Sequence, residues 1–246
     1  MLALLQALAR QPVPVPAAAL ARDLGIPRST TYHLLAELVD AGFVVHLPEE
    51  RRYGLGVGAF EIGSAYLRQE PLARLGRPVL ARLVDRVGHS AHLAVLHGRE
   101  VLYVVEHRAP GRPPLVTDVG VRLPAQLTAS GRALLADLPP AQVKALFPDS
   151  DAFVDRHGSG PHRLSELRRL LAEVRRAGSA GEDGEVTPGF ASVAAAVHDH
   201  AARPVAAVAV TFPAEAQLDR AAVATRVVQA ATELTRRLSG HPPDRS

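Results

Sequence analysis

Apolar residues recur at helical spacing from the start of the chain: Leu2, Leu4, Leu5 and Leu8 form one stripe, which must end before the proline-rich run QPVPVP at 11–16. A second, short helix is predicted over AAALARDL. Leu20 and Leu24 stand four apart in it, Pro16 occupies its opening turn, and Gly25 supplies a left-handed exit. After Ile26-Pro27, the segment RSTTYHLLAELVDAG places Thr31, Leu34, Leu35 and Leu38 on one face and Arg28, Ser29, Thr30, Tyr32 and His33 on the other. Gly42 ends this helix. FVVH and YGLG then read as two strands joined by the turn LPEERR, with Arg51 and Arg52 at its tip.

Helix, tight turn, helix and hairpin in that order make a winged helix-turn-helix, whose second helix enters the major groove by its N-terminal end. The exposed residues suit that role. Arg28 can grip guanine O6 and N7 or a phosphate, and Ser29, Thr30, Tyr32 and His33 offer donors to base edges and backbone oxygens. Arg51 and Arg52 suit phosphate or minor-groove contact. A module of this size can also serve protein interaction, which is the alternative at this point. The glycine run GLGVG at 54–58 lacks both the spacing and the strand-to-helix setting of a nucleotide loop, and the end of a wing accounts for it more simply.

Downstream, VGAFEIGSAYLRQ carries apolar residues at 59, 62 and 66 and again at 60 and 67, more than one domain needs, so a partner surface is expected. LARLGRPVLARLVDRVG reads as a helix, HLAVLHG and EVLYVVEH as a strand hairpin, and PLVTDV as a third strand. Helical signals follow at 129–137, 140–147 and 161–177. FASVAAAV and PVAAVAVTF are two further strands around the turn HDHAARP, and a last helix covers roughly 215–238. This mixture implies an α+β domain around an antiparallel sheet. The expected organisation is a winged helix-turn-helix at 1–56, a linker helix at 57–70, a larger domain at 71–240 and a flexible tail at 241–246. Within the larger domain, RLPAQLTASGRALLA runs from extended chain into a helix. Thr128, Ala129, Ser130 and Gly131 there offer small side chains and free backbone N–H groups at the helix start, a setting that suits an anion.

A length of 246 residues fits two unequal domains, and 47% apolar with 22% charged residues is the balance of a globular protein. The absence of cysteine excludes disulfides and thiolate metal sites and fits a reducing compartment, so the cytoplasm is expected. The opening residues lack a secretion signal, and no run of about 18 apolar residues points to a membrane span. Net charge is +3, yet the first seventy residues hold six Arg against seven acids, so the placement of charge must carry the DNA reading. His89, His92 and His97, with His198 and His200, raise the question of zinc. His198 and His200 are read into a turn and His92 and His97 onto opposite strand faces, so no metal or other cofactor is expected. No GxSxG elbow, Walker A loop, HExxH pair or thiol nucleophile is present, and an enzyme is not expected. A hydrolase or an adaptor remains the alternative.

Three blocks in order resemble the IclR family of bacterial transcriptional regulators: LARDLGIPRSTTYHLLAELVDAGFV with RRYGLGVGAFEIG, RPVLARLVDRVGHSAHLAVLHGREVLYVVEH with VGVRLPAQLTASGRALLA, and GFASVAAAVHDHAARPVAAVAVTF. The resemblance implies a C-terminal GAF-like effector-binding domain with its pocket between sheet and helices. It also implies a homodimer or dimer of dimers on double-stranded operator DNA. By the same resemblance an effector carboxylate contacts Ala129 and Ser130, with further contacts at Glu182, Ser192, Ala209 and Thr211. Ser192 stands where relatives often carry cysteine, and Ala209 where a hydroxyl is frequent, which leaves fewer polar grips and implies a more apolar effector.

Overall fold

The computed structural model describes residues 1–69, 71–111 and 117–243, with the side chains at 64, 66–69 and 71 outside that description. The chain divides into two contact units, Met1–Glu70 and Pro71–Ser246.

In the first unit, α1 (Leu2–Ala9), α2 (Ala17–Leu24) and α3 (Arg28–Asp40) precede a hairpin of β1 (Val44–Leu47) and β2 (Arg52–Leu55), and α4 (Val57–Gln69) follows. The apolar stripes predicted from spacing meet in one small core of Leu4, Leu8, Leu20, Leu35, Leu38 and Val44. Thr31 is fully buried on that face because its hydroxyl donates to the Pro27 carbonyl at 3.0 Å, so the polar atom does not go unpaired. Gly25 adopts the left-handed conformation (φ 64°), and its amide closes α2 onto the Ala21 and Arg22 carbonyls. The GLGVG glycines have a local reason. A Cβ on Gly56 would overlap the Gly42 carbonyl, and the Gly58 amide donates to that same carbonyl at 2.9 Å. The proline-rich run does more than stop α1. Val15 and Tyr53 exchange backbone hydrogen bonds of 2.9 and 2.8 Å, which adds a one-residue third strand to the wing.

The second unit is a six-stranded, wholly antiparallel sheet in the order β5-β4-β3-β8-β7-β6. Its strands are β3 (Ser90–His97), β4 (Glu100–His107), β5 (Arg122–Pro124), β6 (Ala180–Asp183), β7 (Phe190–His198) and β8 (Pro204–Pro213). α5 (Pro71–Val87) and α9 (Arg220–Arg237) cover one face. α6 (Ala129–Ala136), α7 (Pro140–Leu146) and α8 (Leu164–Ala177) belong to the core on the other. Alternation along β8 assigns the two faces: Val208, Val210 and Phe212 join the first core, and Ala207 and Ala209 the second.

The architecture is α+β as expected, with local differences. Of the predicted strand PLVTDV, residues 114–116 lie outside the described residues and 117–119 belong to a turn; the edge strand is β5, just downstream. β6 was not predicted, because four residues reading AGED show too little apolar alternation. α9 begins at Arg220 and not near 215, since the Asp219 carboxylate accepts from the Ala221 and Ala222 amides and sets the start. The expected flexible tail is partly tied down, as the His241 amide donates to the Asp199 carbonyl at 3.3 Å. Among the described residues no helix is long and apolar enough to cross a membrane.

Candidate functional site

In the first unit, the leading end of α3 is free. Arg28, Ser29, Thr30, Tyr32 and His33 are all exposed, and among the described residues no ion pair forms in this unit. Glu37 and Asp40 are exposed too, but lie two or more turns along the helix. Arg51 sits exposed in the wing turn with a left-handed backbone (φ 54°). Arg52 departs from expectation. It opens β2 instead of sitting at the tip, is half-buried, and its guanidinium donates to the Pro14 carbonyl at 3.1 Å, because the proline-rich segment packs beside the wing. His46 stacks on Tyr53, ring centroids 4.5 Å apart, and burial followed by the proximity of Tyr32 raises the Tyr53 hydroxyl above its usual pKa. The wing thus brings Tyr53 near Tyr32 of the recognition helix.

In the second unit, α6 starts against the sheet and lines a small cavity of about 20 Å3. Thr128, Ala129, Ser130, Glu182, Ser192, Ala209 and Thr211 all line it, seven of the eight residues expected there. Strand register brings them together. Glu182 on β6 faces Ser192 on β7, which faces Thr211 on β8, and the side chains join in a chain: Ser192 Oγ donates to Glu182 Oε1 at 2.7 Å and lies 3.0 Å from Thr211 Oγ1. Ala129 and Ser130, the first residues of α6, line the same cavity, and their amides have no acceptor within the helix.

Gly131 is the eighth, and it is not in the lining. Its amide is taken by the Thr128 hydroxyl at 2.9 Å, and its missing side chain leaves room for the backbone of Ala125, with which a Cβ would overlap. Tyr103, Thr117, Val186, Thr187 and Phe190 complete the walls and were not predicted. Tyr103 was readable in principle, since alternation in EVLYVVEH sets Val101 and Tyr103 on the same face. The segment from Val186 to Phe190 lies in a connection with no periodicity to read.

Two buried oxygens in this cavity, Ser130 Oγ and Glu182 Oε2, have no hydrogen-bond partner. Burial pushes the Glu182 carboxyl up to about 7; the Ser192 hydrogen bond opposes this, the neighbouring Glu185 charge adds to it, and Arg132 and the Val186 amide oppose it. Burial also raises the Tyr103 hydroxyl, with the Ser130 hydroxyl weakening and the Glu182 charge reinforcing the effect. Arg132, itself only 3% exposed, stands behind α6 and pins the β6–β7 loop. It donates to the Gln126 carbonyl (2.9 Å), the Gly181 carbonyl (2.7 Å) and Glu185 (2.8 Å).

His92 and His198 are held inside the second unit. His198 is not in a turn: it ends β7, buried, with Nε2 2.9 Å from Asp137 Oδ2 at the end of α6. His92 is fully buried, with Nε2 2.8 Å from Thr117 Oγ1. Among the described residues no three potential metal ligands converge.

An exposed recognition helix with a wing in one unit, and a small cavity with a row of polar side chains in another, define a sensor-type DNA-binding regulator. Residues 1–48 match the IclR helix-turn-helix domain, and residues 64–239 match the family described as bacterial transcriptional regulator IclR C-terminal. The chain belongs to the IclR family of bacterial transcriptional regulators, a family of regulators and not of enzymes. It is 31% identical over 220 residues to the glycerol operon regulatory protein of Streptomyces coelicolor, covering 89% of this chain and 85% of that one. A crystallised IclR-type regulator from Silicibacter sp. TM1040 shares the fold with a TM-score of 0.85 at 25% identity, over 99% of this chain and 96% of that one. An IclR homologue from Microbacterium hydrocarbonoxydans, crystallised with 4-hydroxybenzoate, superposes with a TM-score of 0.82 at 23% identity, over 97% of both chains.

Proposed function

We propose that this regulator binds operator DNA through residues 1–56 and senses a small organic carboxylate through residues 71–240, the helix at 57–70 linking the two. The observation that carries the sensing role is the cavity itself: Ala129 and Ser130 at the start of α6 line it together with the hydrogen-bonded row of Glu182, Ser192 and Thr211, with Thr128 capping the helix and Ala209 supplying apolar wall. Helix-start amides carry partial positive charge and suit a carboxylate. The 4-hydroxybenzoate in the Microbacterium hydrocarbonoxydans homologue is of this class.

On the DNA side, Arg28, Ser29, Thr30, Tyr32 and His33 meet the major groove and Arg51 a flanking phosphate, while Arg52 adds its remaining N–H groups from beside Pro14. Two copies act together. Val57, Phe60 and Ile62 of α4 are 67%, 73% and 59% exposed, an apolar surface that a second chain would cover, giving a homodimer or a dimer of dimers on a palindromic site in the cytoplasm. Tyr66 and Leu67, which the periodicity adds to this face, have side chains outside the described residues. An effector shifts the balance between dimer arrangements only through differential affinity for them. A coupling of about 1 to 3 kcal/mol changes operator affinity roughly five to 150-fold.

Fluorescence anisotropy on duplex DNA tests the DNA role. Affinity is expected to fall steeply as salt rises, through counterion release, and a salt-independent affinity would point to the adaptor alternative. Arg28→Ala is expected to cost about 1 to 3 kcal/mol on operator DNA and to relax preference at one position if it reads a base. Ala129→Phe is expected to abolish the effector response while operator affinity stays within a few-fold of the parent. A surviving response would place the effector elsewhere.

A further inference from the structure

The cavity presents a charge problem for the ligand class just proposed, and this inference rests on that reading. Its lining holds one acid, Glu182, and among the described residues no Lys, Arg or His. The nearest cation, Arg132, is on α6 and has its guanidinium committed to two backbone carbonyls and Glu185. The groups around Glu182 do not offset its burial. Thr211 on β8 is a neutral hydroxyl, Tyr103 on β4 is held neutral by burial and Glu185 after β6 is negative, while the Ser192 hydrogen bond, the Arg132 charge and the Val186 amide favour the carboxylate but are outweighed. A carboxylate entering beside an ionised Glu182, which is only 7% exposed, would bring two like charges into a buried site, where one of the pair is driven to bind a proton.

Glu182 is prepared for this. One oxygen is held by Ser192, and the other, Oε2, is buried with no partner, so a proton there would have no acceptor until a ligand supplies one. We propose that Glu182 meets the effector as a neutral acid, its Oε2 donating a hydrogen bond to the ligand, so that the cavity takes a monocarboxylate together with one proton and rejects dicarboxylates. Its resting carboxyl titrates near 7, so the proton is partly in place before the ligand arrives. The sign of the linkage follows: binding strengthens as pH falls through that value and weakens as pH rises above it.

Two measurements on the full chain test this. Carbon-13 labelling of glutamate side chains, with the Glu182 signal assigned by its loss in Glu182→Gln, should show a carboxyl titrating near neutrality in the free protein; a midpoint below about 5 would overturn the proposal. Calorimetry with 4-hydroxybenzoate, in two buffers of different ionisation heat, should show proton uptake. Affinity should fall about tenfold per pH unit on the alkaline side, and Glu182→Gln should bind with a flat pH profile. Terephthalate, which replaces the para hydroxyl by a second carboxylate, should bind at least about tenfold more weakly. Proton release on binding, or equal affinity for the two acids, would sink the idea. If neither acid binds while Glu182 still titrates near 7, the carboxylate reading of the cavity has failed and the ligand class falls with it; if both bind and Glu182 titrates as an ordinary acid, only the proton linkage is lost.

Discussion

Arg132→Met is expected to lower the stability of the second unit by about 3 to 5 kcal/mol, measured as a shift of the urea midpoint in far-ultraviolet circular dichroism. The guanidinium is buried and each of its three arms is used: Nε on the Gln126 carbonyl, Nη1 on the Gly181 carbonyl and Nη2 on Glu185. Truncation leaves those two carbonyls and a carboxylate, only 16% exposed, without their donor. The Coulomb term of an exposed pair would be worth under about 1 kcal/mol, so burial decides the size of the effect. The Glu185 carboxylate also accepts from the Asp183 amide, so its release loosens the loop that carries Val186 and Thr187 into the cavity wall. Arg132→Met/Glu185→Leu should recover part of the loss, because an apolar pair removes the stranded charge. A single-mutant shift below about 1 kcal/mol would show that this pair does not hold the wall.

Gly131→Ala should also destabilise the second unit, by about 3 kcal/mol, and abolish any effector response. Two effects compete. Alanine is a better helix former than glycine by about 1 kcal/mol, which favours the variant. Against this, the new methyl would overlap the carbonyl oxygen, Cα and carbonyl carbon of Ala125, backbone atoms that cannot rotate away. Overpacking costs about 1 to 3 kcal/mol and more where the backbone must yield. The Ala125 segment has little slack, since its amide is tied to the Arg99 carbonyl at 2.8 Å and the Leu127 amide to the Pro124 carbonyl at 3.1 Å. The start of α6 must therefore move, and Ala129 and Ser130 move with it. A stabilised variant in thermal unfolding would show that helix propensity outweighs this close approach.

How much of this could be read beforehand varies with the range of the interaction involved. The helix-turn-helix was legible because Leu20, Leu35 and Leu38 fall at helical spacing and Gly25 and Gly42 punctuate it; both glycines have positive φ. Arg52 was misplaced because its partner, Pro14, is 38 residues away and nothing in LPEERR signals it. In the second unit, the long strands β3, β4, β7 and β8 were legible from apolar content, and β6 was not. Four residues carry too little pattern, and AGED is a strand only because β7 lies beside it.

The cavity divides in the same way. Its residues were proposed from small side chains at a helix start and from a family resemblance, and the structure brings seven of them around one space. Gly131 was expected to offer a free amide at the helix start, whereas that amide is taken by Thr128 and its missing side chain makes room for Ala125. Periodicity along the chain thus determined by itself which faces are buried, because a local repeat of 2 or 3.6 residues fixes which side chains share a side. Only the tertiary structure decided that Glu182, Ser192 and Thr211 form one hydrogen-bonded row and that Arg132 is consumed behind it. Those contacts join residues up to 53 positions apart, and the charge state of a buried group depends on what surrounds it in space, which no local pattern encodes.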